Sequence, residues 1–156
     1  MIQRVQTLFL LATAISLIVL LFVPIWGADV LGGTTKAELD AYNLSYSVAG
    51  AEAKSESTIY IAALAILGTL TAFFTIFKFK NRKLQLTMGW LNMLIISGII
   101  GTFFIGISKA HDIIGPEKGT YNIGFFLPLV AIITTYMANF YIKKDEKLVR
   151  SMDRLR

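Results

Sequence analysis

Four stretches of nineteen or twenty residues, Leu8–Trp26, Ile59–Phe77, Met88–Ile107 and Gly124–Ile142, contain no Asp, Glu, Lys, Arg or His. About 20 predominantly apolar residues in a helix cross a bilayer core of about 30 Å. Charged residues make up 16% of the chain and the mean hydropathy is +0.64, whereas soluble domains carry about a quarter charged residues. The clustering predicts an all-α membrane protein: a four-helix transmembrane bundle forming one membrane domain over residues 1–156. Outer loops fall at 27–58 and 108–123, an inner loop at 78–87, and a tail at 143–156.

A cleaved signal peptide is the competing reading of the first stretch, which follows a short basic segment. Its apolar run is long for such a peptide, and Trp26-Gly27-Ala28 is a poor cleavage signature. An uncleaved anchor is therefore expected.

Charge sets the orientation. Basic residues in short loops stay on the cytoplasmic side. Arg4, the KFKNRK connection and the tail hold eleven of the fifteen Lys and Arg residues, and four spans place them all on one side. The other side has Lys36, Lys54, Lys109 and Lys118 among seven acids. A bacterial inner membrane location with both termini cytoplasmic follows as an expectation. Trp26, Tyr60 and Tyr121 are placed at the outer interface, and Phe77, Trp90 and Tyr141 at the inner one, where amphipathic rings are favoured.

The first outer loop opens with the turn-rich GADVLGGTTK. Further along, Tyr42, Leu44, Tyr46 and Val48 alternate, as do Tyr121, Ile123 and Phe125 in the second loop. That period is a strand's, and it leaves room for a small extracytoplasmic β-element that caps the helices.

Within the spans the polar residues are mild. Small residues at four-residue spacing, such as Gly68/Ala72 and Ser97/Gly101, suit close helix packing. Asn92 and Asn139 each lie about a turn inside the inner end of a span, and they form a candidate interhelical polar pair. Pro128 falls early in the fourth span, where a missing N–H costs little, and it reads as a helix start.

The tail, KKDEKLVRSMDRLR, has nine charged residues in fourteen. As a helix it places Leu148, Met152 and Leu155 on one face and Lys143, Lys147, Arg150 and Arg154 nearly opposite. Arg4 with Gln3 and Gln6, and Arg82 with Gln85, reach the same side of the membrane as the tail's acids. Gln3, Arg4, Arg82, Gln85, Asp145, Arg150, Asp153 and Arg154 are the candidate cytoplasmic interaction face.

The start MIQRVQ, the loop FKNRKLQ and the ending IKKDEKLVRSMDRLR resemble, along the whole chain, a four-span membrane protein family of unknown function found mainly in Bacteroidota. Gln3, Arg4, Asn81, Arg82, Gln85, Asp145, Arg150, Asp153 and Arg154 match its motifs, and Met152 departs from them. The resemblance implies an inner-membrane location and no assigned activity.

Function narrows by elimination. The absence of cysteine removes disulfides, thiolate metal sites and cysteine nucleophiles. A single histidine, His111 beside Asp112 in an outer loop, falls short of a zinc ligand set or a serine triad. No P-loop, H-E-x-x-H or dinucleotide fingerprint occurs. No enzyme activity, cofactor or metal is expected, and the tail's acids argue against nucleic acid. Coupled transporters keep ionisable groups in the membrane, and these spans have none. A non-catalytic scaffold or accessory subunit is favoured, embedded in the lipid bilayer and binding a protein partner through its cytoplasmic face. A channel or small-solute transporter subunit, assembled as a homo-oligomer, is the alternative.

Overall fold

The computed structural model describes residues 3–30, 35–48, 52–79, 81–115 and 119–153. Chain order runs α1 (Gln3–Leu20), β1 (Trp26–Val30), β2 (Thr35–Leu39), β3 (Asn43–Ser47), β4 (Lys54–Ser57), α2 (Ile59–Phe77), α3 (Arg82–Ile114), β5 (Thr120–Tyr121) and α4 (Ile123–Asp153). The expected all-α class is therefore corrected. The fold joins four helices to a five-stranded antiparallel sheet, in the order β4-β3-β2-β1-β5. Helices still dominate.

The segment expected only to turn and cap is instead the body of the sheet. In β2, Thr35, Ala37 and Leu39 are buried while Lys36 and Glu38 are exposed, the two-residue alternation of a half-buried strand. Asp40 turns β2 into β3: its Oδ1 accepts from the Tyr42 and Asn43 amides, both at 2.7 Å, as short acidic side chains do in turns. Exposed edges invite pairing with other chains. Here one edge, β4, is the fully exposed KSES, and the other, β5, has only two residues.

The helices pack as successive antiparallel neighbours, and α4 closes back onto α1. Many inward residues are small, as Ala62, Ala65, Gly68 and Ala72 are on α2, and they pack beside buried Leu17, Ile96, Ile99 and Phe103. Large apolar side chains such as Leu8, Leu70, Leu94 and Ile133 face outward, each 60% or more exposed. Soluble monomers rarely show so continuous an apolar surface, whereas helices in lipid bury small residues so that backbones can approach.

Among the described residues, α2, α3 and α4 are long and apolar enough to cross a membrane, and the apolar part of α1 is shorter, Val5–Leu20. The first apolar stretch runs on to Trp26, but Pro24 cannot continue a helix and biases Val23 away from helical geometry. The helix accordingly ends at Leu20, and Ile25 is already bonded to the sheet, its amide 2.8 Å from the Leu39 carbonyl. α3 has 33 residues and α4 has 31, against about 20 for a crossing. The overhang of α3 lies under the sheet, where Leu39 packs against Gly106. That of α4 lies at the opposite, charged end, beside the α2–α3 turn.

Candidate functional site

The charged end is built from the turn between α2 and α3. A helix leaves its last carbonyls and first amides without intrahelical partners, and here neighbouring side chains supply several. Asn81 caps α3, its Oδ1 accepting from the Leu84 amide at 3.1 Å. Gln85 Nε2 donates to the Thr75 carbonyl in the last turn of α2, at 2.9 Å. Lys78 O accepts from the Asn81 amide at 3.0 Å. The corner is thus held shut by its own polar residues.

Onto this corner α4 is clamped. Arg82 Nη2 lies 2.9 Å from Asp145 Oδ2, with side chains only 25% and 17% exposed. Arg82 Nη1 is buried without a hydrogen-bond partner, and so are Gln85 Oε1 and, on α1, Gln6 Oε1. Phe9 stacks on Tyr141 at 5.6 Å between ring centroids. One helical turn further in that antiparallel register, Gln6 stands level with Asp145. Of the candidate interaction residues, Arg82 meets Asp145, and Gln85, one turn along α3 from Arg82, ties that corner to α2. Gln3 and Arg4 lie in the first turn of α1 and Arg150 and Asp153 in the last turns of α4, at the same end. The side chains of these four fall outside the described residues, as does Arg154 altogether.

Asn92 and Asn139 are both buried, but they do not bond to each other. Asn139 packs over Gly89 and donates weakly to Met93 Sδ at 4.0 Å. Asn92 faces α2, its Oδ1 at 3.3 Å from where a Cβ on Gly68 would stand. Positions 89 and 93 share the helix face toward α4, and position 92 is turned one step away. Asn92 is 1% exposed and both its amide atoms lack hydrogen-bond partners. Removing such an amide for an apolar group of similar shape relieves a desolvation cost. Asn92→Leu is expected to stabilise the protein by about 1–2 kcal/mol, read as a rise in melting temperature in detergent. A fall would show that the amide has a partner of its own.

Interior threonine hydroxyls bond within the chain, whereas the buried Tyr60 hydroxyl has no hydrogen-bond partner. Thr13 Oγ1 meets Thr134 Oγ1 at 2.8 Å and Thr135 Oγ1 at 3.1 Å, across the α1–α4 seam. At the sheet end, His111 belongs to the last turn of α3 rather than a loop, and its ring is edge-on to Trp26 at 5.5 Å. Among the described residues no three of His, Asp and Glu converge. Pro128 sits inside α4, five residues beyond its start.

What the charged corner can do is mechanical and electrostatic. It ties α4 to the α2–α3 turn through the Arg82–Asp145 pair, beside exposed Lys143, Lys144 and Lys147. A family model described as a domain of unknown function (DUF4293) matches residues 2–155. No curated protein matches the chain.

Proposed function

We propose that this chain, which belongs to the DUF4293 family, is a non-catalytic inner-membrane module that docks a protein partner through its charged end. The observation that carries this reading is the unbroken course of α4 from Ile123 to Asp153. Eleven residues follow Ile142, a rise of roughly 16 Å, and the Arg82–Asp145 pair ties their start to the α2–α3 turn. The concentration of Lys and Arg at this end supports a cytoplasmic position for it and for both termini. Along the extension Leu148 and Val149 are 46% and 43% exposed. Apolar side chains on a rigid helix beyond the lipid suit a protein groove that reads positions along one helix face.

The pore alternative draws less support. Of the threonines and asparagines that would line it, Thr13, Thr75, Thr135, Asn92 and Asn139 are at most 5% exposed within a single chain, which leaves the half-buried Thr7, Thr102 and Thr134 for a channel between copies.

The test is crosslinking in native membranes with mass-spectrometric identification, comparing the full chain with one ending after Glu146. That truncation keeps the Arg82–Asp145 pair. A discrete cytoplasmic partner is expected on the full chain, with its crosslinks reduced roughly tenfold on truncation, as loss of one anchoring contact region implies. An unchanged set of crosslinks would remove the docking role.

A further inference from the structure

Between α3 and α4, near the charged end, a groove of about 110 Å³ is lined by Leu86, Trp90, Tyr136, Asn139, Phe140 and Lys143. It opens on the outward faces of the two helices. Trp90, Tyr136 and Phe140 are 54%, 54% and 52% exposed. Around a membrane helix these are the faces that meet acyl chains.

The two walls share one order. On α3, Lys83, Leu86 and Trp90 follow at spacings of three and four, and so lie on one face. On α4, Tyr136, Phe140, Lys143 and Lys147 follow at four, three and four. Each wall is therefore aromatic toward the membrane interior and basic toward the charged end, and Lys83, Lys143 and Lys147 are all exposed. Asn139 forms part of the lining, 5% exposed, and its Nδ2 makes only a weak 4.0 Å contact with Met93 Sδ, which leaves a donor for an ester carbonyl. It stands one turn, roughly 6 Å along the axis, deeper than Lys143. A buried amide at that depth favours an occupant with polar groups over plain hydrocarbon.

We propose that this groove is a binding site for an anionic glycerophospholipid of the adjacent leaflet. The phosphate lies among Lys83, Lys143 and Lys147, the glycerol-ester region lies at Asn139, and an acyl chain runs along Trp90, Tyr136 and Phe140. Basic pockets between membrane helices recognise anionic headgroups in this way. The inference rests on the membrane location of α3 and α4 and is independent of the docking role of the tail.

The chain has two tryptophans, and Trp26 is 1% exposed at the sheet end, so quenching by brominated acyl chains reports Trp90. Full-length protein is reconstituted in phosphatidylcholine vesicles containing a small fixed fraction of brominated phosphatidylglycerol, or the same fraction of brominated phosphatidylcholine. The anionic lipid is expected to be enriched at Trp90 roughly fivefold, the factor carried by one lysine at an anionic surface. Lys83→Gln/Lys143→Gln/Lys147→Gln should abolish that preference while leaving quenching by brominated phosphatidylcholine intact, and Trp90→Phe should remove the quenchable signal. Equal quenching by the two lipids would overturn the site, as would a preference that survives the triple substitution. Loss of the preference on adding inorganic phosphate would assign the lysines to a free anion and overturn the lipid. A chain ending after Lys147 keeps all three lysines, and its losing the protein partner while keeping the lipid preference separates this site from the tail.

Discussion

Asp145→Ala is expected to destabilise the detergent-solubilised protein by about 3 kcal/mol, lowering its melting temperature by roughly 6–12 °C for a chain of this length. The carboxylate is the charged partner of Arg82, at 2.9 Å, and both side chains are at least three-quarters buried. Exposed pairs are worth little, but a guanidinium left unpaired in a sheltered corner retains its desolvation cost without compensation. Arg82 Nη1 already lacks a partner, so the loss is not absorbed by its neighbours. The residual exposure keeps the value at the low end of that for buried pairs. Removing both charges in Arg82→Met/Asp145→Ala is expected to recover most of the loss, giving a coupling of about 2 kcal/mol in the double-mutant cycle closed with Arg82→Met. The single Asp145→Ala variant should also show faster amide exchange over residues 143–153, because the pair ties the start of that segment to the α2–α3 turn. Additive effects of the two substitutions would show that the pair does not act as a unit.

The same corner shows how far sequence reasoning reaches. Arg82, Gln85 and Asp145 were assignable to one side of the membrane from charge distribution alone. That Arg82 meets Asp145, and that Gln85 serves the Thr75 carbonyl, depends on which faces of α2, α3 and α4 turn together, and hydropathy carries no such information. Asn92 and Asn139 illustrate the limit: similar depth suggested a bond, and a single step of helical rotation denies it. Helix extents divide likewise. α2 coincides with its apolar stretch at Ile59–Phe77, whereas α3 and α4 outrun theirs because a helix continues wherever capping and propensity allow. The Asn81 cap was a readable signal for the start of α3.

The sheet was partly legible. β3 carries Leu44 and Tyr46 at alternate positions, but of the Tyr121, Ile123 and Phe125 alternation only Tyr121 is in a strand, since Ile123 and Phe125 open α4. β2 alternates as well, but through Thr35 and Ala37, whose small side chains barely register as apolar. β4, Lys54–Ser57, is exposed at every position and offers no hydrophobic pattern at all. Edge strands are kept polar for good reason, and that same polarity hides them from a reading based on periodicity.

Gly124→Ala is the second substitution expected to do large damage, and it tests the joint between sheet and helices. A Cβ on Gly124 would stand 2.5 Å from the Pro24 carbonyl oxygen, 3.0 Å from its carbon and 3.1 Å from Ile25 Cα. These are backbone atoms, so no side-chain rotation relieves the clash. Nor is the segment free to retreat. The Pro24 carbonyl accepts from the Gly124 amide at 3.1 Å, and the Ile25 carbonyl from the Asn122 amide at 3.0 Å. The Ile25 amide is spent on Leu39 in the sheet. Moving Pro24 and Ile25 away from α4 therefore strains β1, β2 and the first turn of α4 together. Overpacking of this kind costs about 3 kcal/mol, or roughly 6–12 °C in melting temperature, and Trp26 emission should shift because its backbone adjoins the displaced segment. Gly101→Ala is the matched control: nothing lies within 4 Å of its Cβ position, and helix propensity alone predicts a gain of up to about 1 kcal/mol. Should Gly124→Ala melt with the parent protein, α4 cannot be seated against residues 24 and 25. The sheet would then be a loosely attached cap instead of a rigid one.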